Sequence, residues 1–225
     1  MPQVAADSLL PFRPRRVLVA GTSGAGKTTL ARRIAAILEL PHSEIDALFH
    51  GPNWVPRPEF VSDVEAAIAA ERWVTEWQYR LARPLLAERA DTLVWLDYPR
   101  HLVMWRVIQR TVSRRAQRAV MWNGNVEGPL WRLFTDKTHI VRWAWDTHAK
   151  TPSRVRALLA GDTHLVVVRL RGPLEAERWL AGPLLAAAAR HDERDDHRHD
   201  RRDDERNDER NEPAGPATGS SPQAS

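Results

Sequence analysis

The stretch from residue 21 to residue 28, Gly-Thr-Ser-Gly-Ala-Gly-Lys-Thr, constrains the fold of this chain more than any other. Its first glycine is followed five and six positions later by glycine and lysine, and then by a hydroxyl residue. The apolar residues 17–20 before it predict a short buried strand, and Leu30, Ile34 and Leu38 after it recur at helical spacing. A strand, a glycine-rich turn and a helix in this order are typical of a loop that binds phosphate groups.

The residue types in this loop predict its ligand. Glycine allows backbone conformations that a Cβ excludes, so N–H groups can approach an anion, and the positive end of the next helix attracts it. We expect Lys27 to lie beside the β- and γ-phosphates of ATP and the Thr28 hydroxyl to complete a magnesium shell. The alternative is a glycine-rich turn that only starts a helix. The predicted ATP-binding residues are Gly21, Ser23, Gly24, Ala25, Gly26, Lys27, Thr28 and Thr29.

Composition excludes several classes of protein. The chain of 225 residues has the length of one moderate domain and contains no cysteine, so it forms neither disulfides nor thiolate metal sites. Its start lacks the pattern of a secretory signal, and no apolar run approaches the roughly 20 residues needed to cross a bilayer. We therefore expect a cytoplasmic protein without a membrane segment.

Four more strand patterns alternate with helical patterns along the chain. Together with the first strand they predict an α/β fold in which a five-stranded parallel sheet is covered by helices on both faces. Ligands of such sheets bind beyond the carboxyl ends of the strands, which brings the loop, Asp46, Glu76 and Asp97 to one edge. The four additional strands are predicted at residues 42–46, 72–76, 92–97 and 164–169.

Two of these acids have candidate roles. Asp97 closes an apolar strand, and an acid so placed helps hold magnesium through water, here together with Thr28. The alternative for Asp97 is a solvated carboxylate at a strand end. Asp46 ends the second predicted strand and would either orient the acceptor and take its proton or simply cap the following turn.

Arginines are concentrated in a long helix predicted at residues 99–118, which a predicted flap at 119–129 follows. Guanidinium groups stabilise the negative charge of a phosphoryl group during transfer, so we interpret the segment at about 106–129 as a lid. Arg110 and Arg114 are the predicted catalytic arginines, and a merely solvated helix face is the alternative. The ten tryptophans could stack on bases, but their helical spacing favours a core role.

The sequence resembles the adenylate-kinase-related phosphate-loop proteins often labelled topology modulation proteins. This resemblance implies a three-layer nucleotide-kinase-like fold with strand order 2-3-1-4-5 and an arginine-bearing lid. Where relatives carry Asp-Gly-Asn-Tyr after the third strand, this chain has Glu-Trp-Gln-Tyr at residues 76–79, which places a bulky side chain near the expected acceptor pocket. The resemblance rests on residues 21–28, 45–48, 72–74, 90–100 and 122–125.

We therefore predict an N-terminal extension at residues 1–14, a kinase-like domain at 15–189 and a disordered charged tail at 190–225. The predicted function is ATP- and Mg²⁺-dependent transfer of the γ-phosphoryl group to a small molecule, such as a nucleotide or nucleoside. One alternative is a nucleotide-dependent ATPase or switch acting on a protein or DNA, and another is a degenerate kinase fold that only binds. The net charge of +4 is compatible with nucleic acid but does not favour it over polyphosphates.

Overall fold

The structure, a computed structural model, describes residues 3–116, 148–161 and 163–190, with side chains up to residue 113 in the first range. The predicted flap at 119–129 and the tail from residue 191 lie outside the described residues. The side chain of Arg114 also lies outside them. Within the described ranges, no helix has both the length and the apolar character needed to cross a membrane.

One sheet of parallel strands forms the centre of the fold. Its strands are β1 (Gln3–Val4), β2 (Arg16–Gly21), β3 (His42–Ser43), β4 (Trp73–Glu76), β5 (Thr92–Leu96) and β6 (Val166–Leu170). From one edge to the other their order is β1-β6-β5-β2-β4-β3. All five pairs of neighbours are parallel.

The prediction of a five-stranded sheet is wrong, because the segment predicted as an N-terminal extension supplies a sixth strand. Gln3 and Val4 pair with Val167 and Val168 of β6 at the sheet edge. The full strand order therefore differs from the predicted one by β1, which lies outside β6. Two residues give too short a pattern for sequence periodicity, and only the exposed edge of β6 makes them a strand.

Helices cover both faces of the sheet. They are α1 (Lys27–Leu38), α2 (Ile45–Phe49), α3 (Phe60–Ile68), α4 (Ala82–Arg89), α5 (Arg100–Ala116), α6 (Lys150–Ala160), α7 (Pro173–Trp179) and α8 (Leu185–Ala188). Side chains alternate between the faces, so Val17 and Val19 join the core under α1, α5 and α7, and Leu18 and Ala20 join the core under α3, α4 and α6. The predicted α/β architecture with helices on both faces is confirmed.

Asp46 does not end a strand, as the sequence predicted, but lies in the first turn of α2. Strand β3 stops at Ser43, and the backbone N–H of Ile45 donates a hydrogen bond of 3.1 Å to Glu76 Oε2. A carboxylate at the first N–H groups of a helix satisfies a donor that has no partner within the helix, and it complements the helix dipole. The contact with Glu76, 31 residues away, therefore starts a helix where the local pattern predicts a strand.

Candidate active site

The glycine-rich loop joins the carboxyl end of β2 to the N-terminus of α1. Gly24 and Gly26 have φ angles of 86° and 99°, in the left-handed region that favours glycine, and the N–H of Ala25 bonds to Thr22 O at 3.0 Å. Helix α1 then begins at Lys27, so its first N–H groups and its positive dipole end lie at the loop. This arrangement forms an anion site of the kind that binds phosphate groups.

Helix α5 packs directly against the loop. A Cβ on Gly24 would lie 2.2 Å from Cγ2 of the buried Val107, so only glycine fits between the loop and α5. Arg106 donates a hydrogen bond of 3.1 Å to Ala25 O, and its guanidinium lies 5.4 Å from the centre of the Tyr98 ring. The sequence placed Arg106 in the lid cluster, but it did not predict this contact with the loop backbone.

Lys27 connects the loop to the acids beside it. Its Nζ donates to Thr22 O at 3.5 Å. Burial lowers the pKa of Lys27, while the charges of Asp46 and Glu76 raise it and the charge of Arg110 lowers it. The charges of two other predicted catalytic residues, Asp46 and Arg110, therefore act on Lys27.

Glu76 is the functional candidate that sequence reasoning left without a role. It ends β4, is 3% exposed, and accepts a hydrogen bond from the Ile45 N–H. Burial raises the pKa of Glu76, but the His42 imidazole, whose Nε2 lies 3.9 Å from Oε1, the Ile45 N–H and the Thr28 hydroxyl outweigh burial and hold that pKa below its ordinary value. A buried carboxylate is thus placed near the hydroxyl of the phosphate loop.

Asp97 directly follows β5, on the other side of β2 from Glu76, and is hydrogen-bonded to an arginine. Its Oδ2 accepts two hydrogen bonds from the Arg169 guanidinium of β6, from Nε at 2.8 Å and from Nη2. The same guanidinium lies 4.8 Å from the centre of the Trp95 ring. The predicted metal residue is therefore in an ion pair with β6, and its metal role stays a prediction.

Asp46 is surrounded by the residues that follow β4. Its Oδ1 accepts hydrogen bonds from Gln78 Nε2 at 2.5 Å and from the Tyr79 hydroxyl at 2.6 Å. The hydroxyl oxygen also lies 3.1 Å from Nε2 of His50. Burial and the nearby Asp46 raise the pKa of Tyr79, so the phenol stays protonated and can donate to the carboxylate.

Trp77, the bulky residue that replaces glycine in the resemblance, is bound to α4. Its indole Nε1 donates to Arg83 O at 3.1 Å, and its ring packs at the edge of the core under α3 and α4. The residues on either side of it are hydrogen-bonded at the site, because Glu76 accepts the Ile45 N–H and Gln78 donates to Asp46. The departure from the expected motif therefore supplies polar contacts to the site.

Magnesium is implied by the phosphate loop, and the residues present suit it. Mg²⁺ prefers oxygen ligands and in phosphate-transfer sites is held by one or two protein groups together with phosphate oxygens and water. The hydroxyl of Thr28 with the carboxylate of Glu76 provides such groups. Among the described residues, no group of three or more His, Cys, Asp or Glu could hold a metal without such additional ligands.

The signal that would have identified Glu76 was present in the sequence. Glu76 closes an apolar strand, as Asp97 does, and residues 76–79 are the point of departure from the resembled group. The sequence did not show which strands lie side by side. In the structure β4 lies directly beside β2, with Glu76 paired to Val19.

Comparison with known proteins finds sequence similarity to a kinase. The chain is 28% identical over 151 residues to a shikimate kinase from Bradyrhizobium diazoefficiens, and the match covers 59% of this chain and 70% of that one. No protein-family model matches the sequence.

Solved structures of kinases also resemble the fold. A gluconokinase from Sinorhizobium meliloti 1021 matches 78% of this chain and 95% of its own, with 20% identity and a TM-score of 0.46. A shikimate kinase from Aquifex aeolicus vf5 matches 76% of this chain and 94% of its own, with 14% identity and a TM-score of 0.40. The phosphate loop, the parallel sheet and the likeness to the first shikimate kinase support a kinase-type phosphotransferase with a P-loop kinase-like fold.

Proposed function

We propose that this protein transfers the γ-phosphoryl group of ATP, with Mg²⁺, to a hydroxyl group of a small molecule. The observation that carries the proposal is the position of Asp46 within electrostatic reach of Lys27. A phosphate-binding lysine beside a carboxylate that is held by side-chain hydrogen bonds supplies both halves of a transfer site, one for the nucleotide and one for the acceptor.

On the nucleotide side, the amides of residues 21–28 and Lys27 bind the phosphates. The ATP-binding residues are those proposed from the sequence, from Gly21 to Thr29. Arg110, which lies close enough to Lys27 to affect its pKa, is suited to stabilise charge on the transferring group. Arg114 is proposed for the same role, one helical turn further along α5.

On the acceptor side, Asp46 orients the attacking hydroxyl. The acceptor oxygen attacks the γ-phosphorus, the bond from that phosphorus to the β,γ-bridging oxygen breaks, and the acceptor proton passes to Asp46 and then to water. The products are ADP, a phosphate monoester and a proton. Gln78 and Tyr79 hold the Asp46 carboxylate in one orientation through their hydrogen bonds to Oδ1.

Magnesium, when bound, neutralises charge on the phosphate oxygens. Thr28 and one strand-end carboxylate would hold it, the carboxylate acting through water. The sequence suggests Asp97 for this part. Glu76 is favoured instead because the Thr28 hydroxyl helps to hold the pKa of Glu76 below its ordinary value, and the charge of Glu76 in turn raises the pKa of Lys27. A carboxylate beside the hydroxyl of a metal ligand would orient that ligand, as partners of metal ligands commonly do.

A thermal-shift assay with ATP and Mg²⁺ tests the nucleotide half. Binding to the folded state raises the melting temperature by mass action, and Lys27→Ala should lose that shift. Release of ADP with candidate acceptors tests transfer. If Asp46 is the base, Asp46→Asn should lower kcat about 10²- to 10⁴-fold.

Asp63→Asn is the matched control, since Asp63 is a surface carboxylate that pairs with Arg57. An Asp46→Asn enzyme that keeps most of its rate would show that no base is needed, as for an acceptor whose reacting group is itself a phosphate. ATP binding without any acceptor-dependent ADP release would instead favour the ATPase or switch, and absence of ATP binding would favour the binding module.

A further inference from the structure

The polar groups around Asp46 are joined to an aromatic cluster. We name as the acceptor cluster the residues Asp46, Phe49, His50, Trp54, Gln78 and Tyr79. Phe49 stacks on Tyr79 with ring centres 3.9 Å apart, and His50 meets Trp54 edge to face at 5.1 Å. These rings come from α2, from the turn after it and from the segment after β4, so three separate segments converge on the carboxylate proposed to receive the acceptor.

The backbone at this cluster is strained in three places. Asn53, Trp54 and Tyr79 have φ angles of 57°, 61° and 58°, in the left-handed region that residues with a Cβ rarely occupy. Such strain costs free energy and concentrates at ligand clamps and active sites. Two of the three residues belong to the acceptor cluster, and Asn53 immediately precedes Trp54.

The polar side chains of the acceptor cluster are suited to hydrogen-bond with the hydroxyl groups of an acceptor. A hydroxyl both donates and accepts, whereas a carboxylate only accepts and an amide offers both functions. Asp46 and Gln78, with the Tyr79 hydroxyl and His50 Nε2 at 3.1 Å from each other, present acceptors and donors side by side. Burial lowers the pKa of His50, which favours the neutral form of its imidazole.

The aromatic and charged residues of the acceptor cluster further restrict the chemical class of the acceptor. Trp54 is 38% exposed, and the negative face of an indole attracts the polarised C–H groups on the face of an oxygenated ring. Asp46 is the one carboxylate of the acceptor cluster, and the charge of the nearby Glu76 also acts on Tyr79. The cluster contains no arginine or lysine of its own, so it offers no cation to pair with a negative charge next to the reacting hydroxyl, and Asp46 opposes such a charge.

We propose that the acceptor cluster binds an uncharged polyhydroxylated ring, such as a monosaccharide or cyclic polyol. This inference rests on the proposed function, because it names the acceptor for that transfer. The hydroxyl that reacts lies at Asp46, and the ring face lies against Trp54. Transfer yields ADP, the phosphate monoester of the ring compound and a proton.

Pairs of acceptors that differ in charge test the proposal. ADP release from full-length protein would be compared for D-glucose with D-glucuronate, methyl shikimate with shikimate, and adenosine with AMP, at equal concentrations. We expect an uncharged monosaccharide or cyclic polyol to stimulate release at least about tenfold more than its charged counterpart. A charged member that outperforms its partner overturns the acceptor class and leaves the proposed function intact. Failure of every acceptor with ATP binding preserved overturns both.

A pair of tryptophan variants tests the ring contact. Trp54→Ala should raise KM for the uncharged acceptor about tenfold, leave kcat and KM for ATP near their wild-type values, and be largely rescued by Trp54→Phe. Trp105→Ala is the control, since Trp105 is 59% exposed on α5. Equal acceptor KM values in Trp54→Ala and Trp105→Ala would remove Trp54 from the acceptor site and overturn the proposed ring contact.

Discussion

Two strands flank the phosphate-loop strand β2, and an acid stands at the carboxyl end of each. Glu76 ends β4, and Asp97 directly follows β5. Position along the sheet edge makes the two acids equivalent, but their surroundings differ. Glu76 is 3% exposed and accepts a hydrogen bond from the Ile45 N–H, whereas the Asp97 carboxylate is in an ion pair with Arg169.

The neighbouring strand decides this difference. Beyond β5 lies β6, whose Arg169 is in register with Trp95 and can reach Asp97. Beyond β4 lies only the two-residue strand β3, which supplies His42, and the next segment begins α2. The acid beside a basic neighbour forms an ion pair, and the acid beside the N-terminus of α2 accepts the Ile45 N–H.

Replacement of Glu76 and of Asp97 by the corresponding amide should show the largest difference between the two acids. We expect Glu76→Gln to weaken Mg²⁺-dependent ATP binding and acceptor phosphorylation about 10- to 100-fold, because a carboxylate near the Thr28 hydroxyl and Lys27 is replaced by a neutral amide. Asp97→Asn should change both by less than about threefold. Titration of ATP with Mg²⁺ and again with EDTA measures the metal-dependent part.

A matched control for burial is Asp91→Asn. The Asp91 carboxylate accepts the backbone N–H groups of Arg15 and Arg16 at the opposite end of β2. Asp91→Asn should lower the free energy of unfolding without altering the Mg²⁺ dependence of ATP binding. A larger metal defect in Asp97→Asn than in Glu76→Gln would reverse the comparison and return the metal role to Asp97.

Because Asp97 is in an ion pair with Arg169, we expect its replacement to have a moderate effect on the free energy of unfolding. Asp97→Asn removes charge-assisted hydrogen bonds to a guanidinium whose side chain is 29% exposed, so we expect a loss of about 1–3 kcal/mol in the free energy of unfolding. Urea denaturation of wild type and variant measures it. A loss below about 0.5 kcal/mol, as at an ordinary surface site, would contradict a structural role for the pair.

The smallest expected effect is on the acid dependence of stability. Because the folded-state pKa of Glu76 lies below its ordinary value of 4.5, its ionisation stabilises the fold above that value. This contribution is lost as pH falls through the lower folded-state pKa. The difference in melting temperature between wild type and Glu76→Gln should therefore shrink as pH falls below about 4.5. A constant or growing difference would contradict the hydrogen-bonded carboxylate.

The loop and the general architecture could be predicted because their causes are local. Residues 21–28 are contiguous, and glycine, lysine and threonine act there through backbone conformation and position relative to one helix. The apolar runs that became β2, β4, β5 and β6 are dictated by burial on both faces of a parallel sheet. The lid arginine Arg114 and the domain boundaries stay predictions.

The helical position of Asp46 could not be predicted. Its segment begins a helix because Glu76 binds the Ile45 N–H, and no local pattern around residue 45 contains that information. The contacts of Gln78 and Tyr79 with Asp46 depend in the same way on residues about 30 positions apart.

The sequence by itself determined that the chain contains a phosphate loop between a buried strand and a helix, and that strand-end acids collect beyond it. The tertiary structure decided which of these acids faces the loop, that β1 completes the sheet, and which side chains surround Asp46. The physical reason is the separation along the chain over which each kind of interaction acts. Backbone preference and hydrophobic periodicity act over a few residues, whereas hydrogen bonds and ion pairs of strand-end side chains depend on which strand folds beside them.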